Sequence, residues 1–97
     1  MLKGKQTRYL RSQAHHISPI FQIGKGGINE NMIRQIKEAL EVRELIKVSV
    51  LQNSDEIPAE VGLAIAKKTK AQLVQVIGKT IVLYRPSKND PKIQLPS

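Results

Sequence analysis

The tetrad Gly24-Lys25-Gly26-Gly27 stands between a short apolar run, residues 19–23, and the start of an amphipathic helix, and this junction constrains the fold more than any other stretch. Pro19 disfavours a helical Ser18, so the preceding element must end there and residues 20–23 become a first strand. Beyond the glycines, Asn29 is a good N-cap. Ile28 and Ile33 stand at hydrophobic-staple spacing, and Ile33, Ile36 and Leu40 continue one buried stripe to about Arg43. Residues 45–51 then alternate, with Ile46, Val48 and Val50 on one side and Lys47 and Ser49 on the other, the pattern of a half-buried strand. Strand, helix and strand joined by such short connections imply a right-handed parallel crossover.

The flanking segments complete the architecture. Residues 5–17 read as a helix in which Leu10, Ala14 and Ile17 share one face while Arg8, Arg11 and His15 share the neighbouring one. Residues 53–56 form a loop, Pro58 suits a first helical turn, and Val61, Ala64, Ile65 and Lys68 sketch a helix to about Thr69. Gly62 inside that helix costs about 1 kcal/mol relative to Ala. Residues 72–77 and 80–84 are β-rich runs separated by Gly78-Lys79, which suits a tight hairpin with glycine first. Pro86, Pro91 and Pro96 make the last dozen residues, from about 86, an extended basic tail that is poorly ordered unless it packs or binds. The order αβαβαββ predicts a single α/β domain over residues 1–97, two-layered, with a mixed four-stranded sheet and the helices packed on one face.

Charge is distributed unevenly. The chain carries a net charge of +8. Residues 1–29 hold Lys3, Lys5, Arg8, Arg11 and Lys25 with no acid, residues 30–78 balance, and residues 79–97 hold Lys79, Arg85, Lys88 and Lys92 against Asp90. A balanced centre with basic ends favours a polyanionic partner. With no cysteine, disulfides and thiolate metal sites are excluded. No apolar stretch approaches a membrane span and the basic N-terminus lacks the apolar core of a signal peptide, so no membrane association and a cytoplasmic location are expected.

For chemistry, the glycine loop is the candidate. Glycines let the main chain approach an anion and take positive φ, and the helix behind adds free N–H groups and a partial positive charge. A Gly-x-x-Gly loop in this setting is one way an RNA-binding module grips a nucleotide backbone. The same residues would equally serve as a plain tight turn. Glu30 opposes the anion reading, since it can use the helix dipole itself.

No catalytic constellation assembles. His15 and His16 are the only histidines, with no cysteine to complete a zinc set, so no metal is expected. Gly78-Lys79-Thr80 imitates the end of a Walker A loop, but position 73 is Leu and a strand follows, so ATP binding is rejected. The acids of the central region are expected on solvated faces. Tyr9, Phe21 and Tyr84 are too few to build a stacking platform, and Phe21 is expected in the core. Gripping of an RNA backbone by amides and cations remains, with Arg8, Arg11, Lys25, Lys3 and Lys5 on phosphates and His15 beside them. Neither a cofactor nor a small-molecule substrate is implied, and the expected state is a monomer.

The chain also resembles the bacterial YhbY-type stand-alone CRM domain, a family named for chloroplast RNA splicing and ribosome maturation. The resemblance is carried by Ala14-His15-His16 after a basic helix, Gln22-Ile23-Gly24-Lys25-Gly26-Gly27, Leu45-Ile46-Lys47-Val48, Leu51-Gln52-Asn53-Ser54, and the run from Val76 through Gly78-Lys79-Thr80 to Tyr84-Arg85. It implies a fold similar to the C-terminal domain of translation initiation factor three. It further implies RNA binding through the GxxG loop, Gly24 to Gly27, and nearby basic residues, with precursors of large-subunit ribosomal RNA as partner. Lys70 departs from the pattern where a helix-ending glycine is frequent, and Asn29 where threonine is frequent. Competing readings are an adaptor docking on ribosomal proteins or a GTPase through the helix ending near Arg43, and an RNA-modifying enzyme.

Overall fold

The computed structural model describes residues 2–52 and 54–96; Asn53, in the loop expected at 53–56, lies outside them. Seven elements follow in chain order: α1 (Gly4–Ala14), β1 (Pro19–Ile23), α2 (Glu30–Arg43), β2 (Leu45–Val50), α3 (Pro58–Thr69), β3 (Gln72–Ile77) and β4 (Thr80–Tyr84). The expected order is present. The largest shift of a boundary is at the end of α1, where residues 15–17 continue as turns, with the N–H groups of His15, His16 and Ile17 bonded to the carbonyls of Ser12, Gln13 and Ala14.

The sheet order is β1-β2-β4-β3. β1 and β2, joined through α2, are parallel, with Ile23 opposite Val50, as the strand, helix and strand unit requires. β4 inserts between β2 and β3 and pairs antiparallel with both. The β3–β4 hairpin turns on Gly78, whose φ of 57° lies in the region glycine adopts without cost.

Local signals at the helix ends operate as predicted. Asn29 Oδ1 accepts the Met32 N–H at 2.8 Å, and Ile28 and Ile33 both pack on the core. Pro58 opens α3. Its far end carries the strain of a non-glycine cap. Lys70 sits at φ 60°, ψ 31°, its N–H bonded to the Ala66 carbonyl, which also accepts from Ala71 at 2.9 Å. This is a Schellman-type end built without glycine, at a cost of about 1–2 kcal/mol for the left-handed conformation. Gly62 also has its explanation: a Cβ there would lie 2.9 Å from Leu73 Cδ1 and 3.2 Å from Ile81 Cγ2, so α3 sits flush on the sheet.

Layering differs from the expectation that all helices share one face. α2 and α3 do, burying Ile36, Leu40, Val61 and Ile65 against Ile23, Ile46, Val48, Ile81 and Leu83. α1 lies on the opposite face, where Leu10 and Ala14 pack with Leu45, Val74, Val82 and Tyr84. The physical reason is β4. Ile81, Val82, Leu83 and Tyr84 are consecutively buried, so this central strand is apolar on both sides and each side must be covered. A sheet with helices on one face alone would leave Val82 and Tyr84 in water.

The C-terminal segment meets the condition its sequence sets for order, because it packs. Ile93 and Leu95 pack with α1 on its side of the sheet. Gln6 Nε2 donates to the Pro96 carbonyl at 3.2 Å. Two acids, expected on solvated faces, hold the backbone before them. Glu44, the single residue between α2 and β2, is fully buried at φ 65°, and its carboxylate accepts the N–H groups of Ser87 at 2.7 Å, Lys92 at 2.6 Å and Ile93 at 2.7 Å. Glu41 accepts the Ser87 hydroxyl at 2.6 Å and the Lys88 and Asn89 N–H groups at 3.1 Å. Burial pushes the Glu44 carboxyl up, but the Ser87, Ile93 and Lys92 N–H groups and the Lys92 charge outweigh it and leave it below the ordinary range. The Ser87 hydroxyl, then the Lys88 and Asn89 amides, draw Glu41 down to about 2 against the opposing effect of burial, with help from Arg85.

Candidate functional site

The 24–27 loop leaves the sheet at the buried Ile23, whose carbonyl accepts the Leu51 N–H at 2.9 Å. The Gly27 N–H returns to the Gly24 carbonyl at 3.1 Å and closes a tight turn with Lys25 and Gly26 exposed at its apex. Its glycines do different jobs. Gly27 has φ 72°, a conformation that strains any residue with a Cβ, and a Cβ on it would lie 2.5 Å from Glu56 Oε1, so the fold itself favours glycine there. Gly26 has no positive φ, and an added Cβ would meet nothing within 4 Å. The folded chain gives no reason for a glycine at 26.

Charge around the loop is mixed. Glu56 stands against Gly27, and Glu30 occupies the first turn of α2. On the other side of Asn29, a cleft of about 410 Å³ opens between α2 and α3, lined by Ile28, Glu30, Ile33, Arg34, Lys37 and Lys68. Sequence reasoning missed Arg34, Lys37 and Lys68, because the net neutrality of residues 30–78 concealed them. Glu41 and Glu44, which supply part of that neutrality, are committed to the C-terminal segment. A count of charge by helix position would have found two of the three: Arg34 and Lys37 lie three residues apart on α2.

Lys3, Lys5, Arg8, Arg11 and His15 are all exposed on α1 and its C-terminal turn. α1 lies across β2, β3 and β4 on the face opposite α2 and α3, and among the described residues no hydrogen bond ties it to the 24–27 loop. The cations on α1 and those lining the cleft therefore belong to helices on opposite faces of the sheet. Among the described residues no group of three His, Cys, Asp or Glu side chains could hold a metal ion, and no helix is long and apolar enough to cross a membrane. Phe21 packs on the core and Tyr9 and Tyr84 on the α1 side; Tyr84 is buried, and Phe21 and Tyr9 are half-buried.

Comparison with known proteins places the whole chain. The chain is 64% identical over 96 residues to the Probable RNA-binding protein YqeI of Bacillus subtilis, covering 99% of this chain and 100% of that one. It is 43% identical to an RNA-binding protein of Haemophilus influenzae, covering 98% and 95% of the two chains. Among solved structures, that of a hypothetical protein from Staphylococcus aureus superposes with a TM-score of 0.82 at 61% identity, over 99% of this chain and 100% of the other. The profile of the CRS1 / YhbY (CRM) domain matches residues 2–85, from the residue before Lys3 to the one after Tyr84. A glycine loop on this strand-to-helix junction, a mixed sheet in this order and a match over almost the whole chain have one common explanation: the protein belongs to the CRS1 / YhbY (CRM) domain family.

Proposed function

We propose that this protein is a non-catalytic RNA-binding protein that grips an RNA backbone through Gly24, Lys25, Gly26 and Gly27. The observation that carries this reading is Gly26, exposed at the apex of the turn and glycine without any demand from the fold. Main-chain approach of a phosphate is then limited only by the backbone, and Lys25 supplies a mobile positive charge beside it. The names of the relatives support an RNA partner. The exposed Lys3, Lys5, Arg8, Arg11 and His15 provide a second set of phosphate contacts. Resemblance to bacterial YhbY-type members extends the proposal to precursor large-subunit ribosomal RNA, to assistance in subunit assembly, and to a monomer acting in the cytoplasm.

The test replaces Lys25 and Gly26 with Asp. Both sites are exposed, so the thermal melt should stay nearly unchanged while affinity for ribosomal RNA falls. Collapse of the fold would return the loop to a structural role. Crosslinking in cells, followed by sequencing of the attached RNA, should give a reproducible large-subunit footprint; an adaptor that docks on proteins would leave none.

A further inference from the structure

The cleft between α2 and α3 continues from the loop, because Ile28, which lines it, directly follows Gly27. Resting on the RNA-binding reading above, we infer that this cleft receives one unstacked nucleotide of single-stranded RNA, its base against Ile28 and Ile33 and its adjoining phosphates against Arg34, Lys37 and Lys68. Size is the first support: about 410 Å³ lies within the range of about 300 to 1,000 Å³ typical of small-ligand sites. Chemistry is the second. Ile28 and Ile33 are only partly buried, which leaves apolar surface for a base.

Charge complementarity is the third support. Three cations face one acid, Glu30, and among the described residues the ion pairs are Arg85 with Glu41 and Lys92 with Asp90, so none of the three is neutralised by a carboxylate. Arg34 instead donates to the Asn31 side chain on its own helix. The rim is also held in place. Arg85 donates to the Thr69 carbonyl at 3.2 Å and the Lys37 carbonyl at 3.3 Å, joining α3 to α2 beside the residues that carry Lys68 and Lys37. A duplex keeps its bases stacked inside the helix, whereas a splayed single strand can present one to a recess. With aliphatic rather than aromatic walls, base identity should matter little.

The experiment uses the full chain and two probes, a short oligouridine bearing thiouridine for photocrosslinking and an RNA duplex as competitor. Crosslinks are expected within residues 28–37, and the duplex should compete poorly. Lys37→Ala combined with Lys68→Ala, both at exposed positions, should leave the melt unchanged and lower the slope of log affinity against log salt for the oligouridine by about 1.4, at about 0.7 for each single-strand phosphate contact. An unchanged slope, crosslinks confined to residues 24–27 and α1, or equal binding of duplex and single strand would overturn the cleft site while leaving the loop proposal standing. Failure of Lys25→Asp with Gly26→Asp to weaken any RNA would overturn the loop proposal and the cleft with it.

Discussion

Glu44 Oε1 accepts a hydrogen bond from the backbone N–H of Ile93 at 2.7 Å, joining the one-residue link between α2 and β2 to a segment 49 residues later. The contact explains how a strained, fully buried acid is tolerated at φ 65°. Its carboxylate replaces water for three N–H groups, and the structure around it holds a conformation that would otherwise be costly.

Removing that acceptor should therefore be expensive. Glu44→Ala leaves the N–H groups of Ser87, Lys92 and Ile93 without their partner and is expected to destabilise the protein by about 2–4 kcal/mol, since the buried Ser87 N–H costs about 1–3 and the half-buried pair, which water can reach in part, adds less. Urea unfolding measures the loss, and limited proteolysis should cut the variant first after residue 86. A loss below about 0.5 kcal/mol would show that the segment holds without Glu44.

The same carboxylates set an acid limit. Both Glu41 and Glu44 titrate lower in the folded chain than unfolded, so the unfolded state binds more protons at mildly acid pH. Their stabilisation is complete above the ordinary value of 4.5 and is lost as pH falls toward about 2, the value Glu41 reaches. Melting temperatures should fall through that window, and the fall should be shallower in Glu41→Gln with Glu44→Gln, which starts from a lower plateau. Parallel curves would remove these two groups from the acid response. At the alkaline end, burial and then the Glu44 charge raise the Tyr84 hydroxyl above its ordinary value, so its contribution persists below that value and is lost as pH climbs through the folded one.

Adjacent glycines should separate fold from function. Gly27→Ala places a Cβ in the left-handed region and against Glu56, at a cost of about 1–2 kcal/mol. Gly26→Ala meets open space, and its stability should move by less than about 1 kcal/mol. RNA affinity should fall in the second variant despite its intact fold. Equal destabilisation by the two would contradict the geometry of the turn.

Lys70→Gly should be stabilising by about 1 kcal/mol, because glycine accepts the left-handed conformation that Lys70 now holds at φ 60°. Chemical denaturation is the measurement. Glu44→Gly offers the contrast: it relieves a positive φ but loses three hydrogen bonds, so it should be destabilising.

Salt should distinguish the two groups of cations. Arg8→Ala with Arg11→Ala on α1 is expected to reduce the salt slope of RNA binding by about 1.4–1.8 if both reach phosphates, at about 0.7–0.9 per contact. Since α1 lies on the face opposite the α2–α3 cleft, this loss should add to that of the cleft variant. Affinity that ignores salt altogether would rule out phosphate gripping by either group.

Much of the fold is legible because its signals are local. Asn29 with the Ile28 and Ile33 pair places the start of α2, Pro58 the start of α3, and Gly78 the hairpin, each through contacts spanning a few residues. The face chosen by α1 was harder to read. Its apolar stripe at Leu10 and Ala14 says only that a face is buried. The unbroken run from Ile81 to Tyr84 carried the missing information, since a strand without alternation needs cover on both sides.

By itself, then, the sequence determined which segments become helices and strands, where the glycine loop stands, and that Gly26 and Lys25 follow a strand and precede a helix, because those features depend on spacing and backbone preference. Only the tertiary structure decided that Glu41 and Glu44 hold the C-terminal segment, that Gly27 serves the fold while Gly26 does not, and that Lys68 joins Arg34 and Lys37 along one cleft. Those relationships join residues far apart in the chain. Which distant backbone amide meets a carboxylate, or which helices share a cleft, depends on how sheet faces are covered, and that follows from the whole apolar pattern and from no single stretch of it.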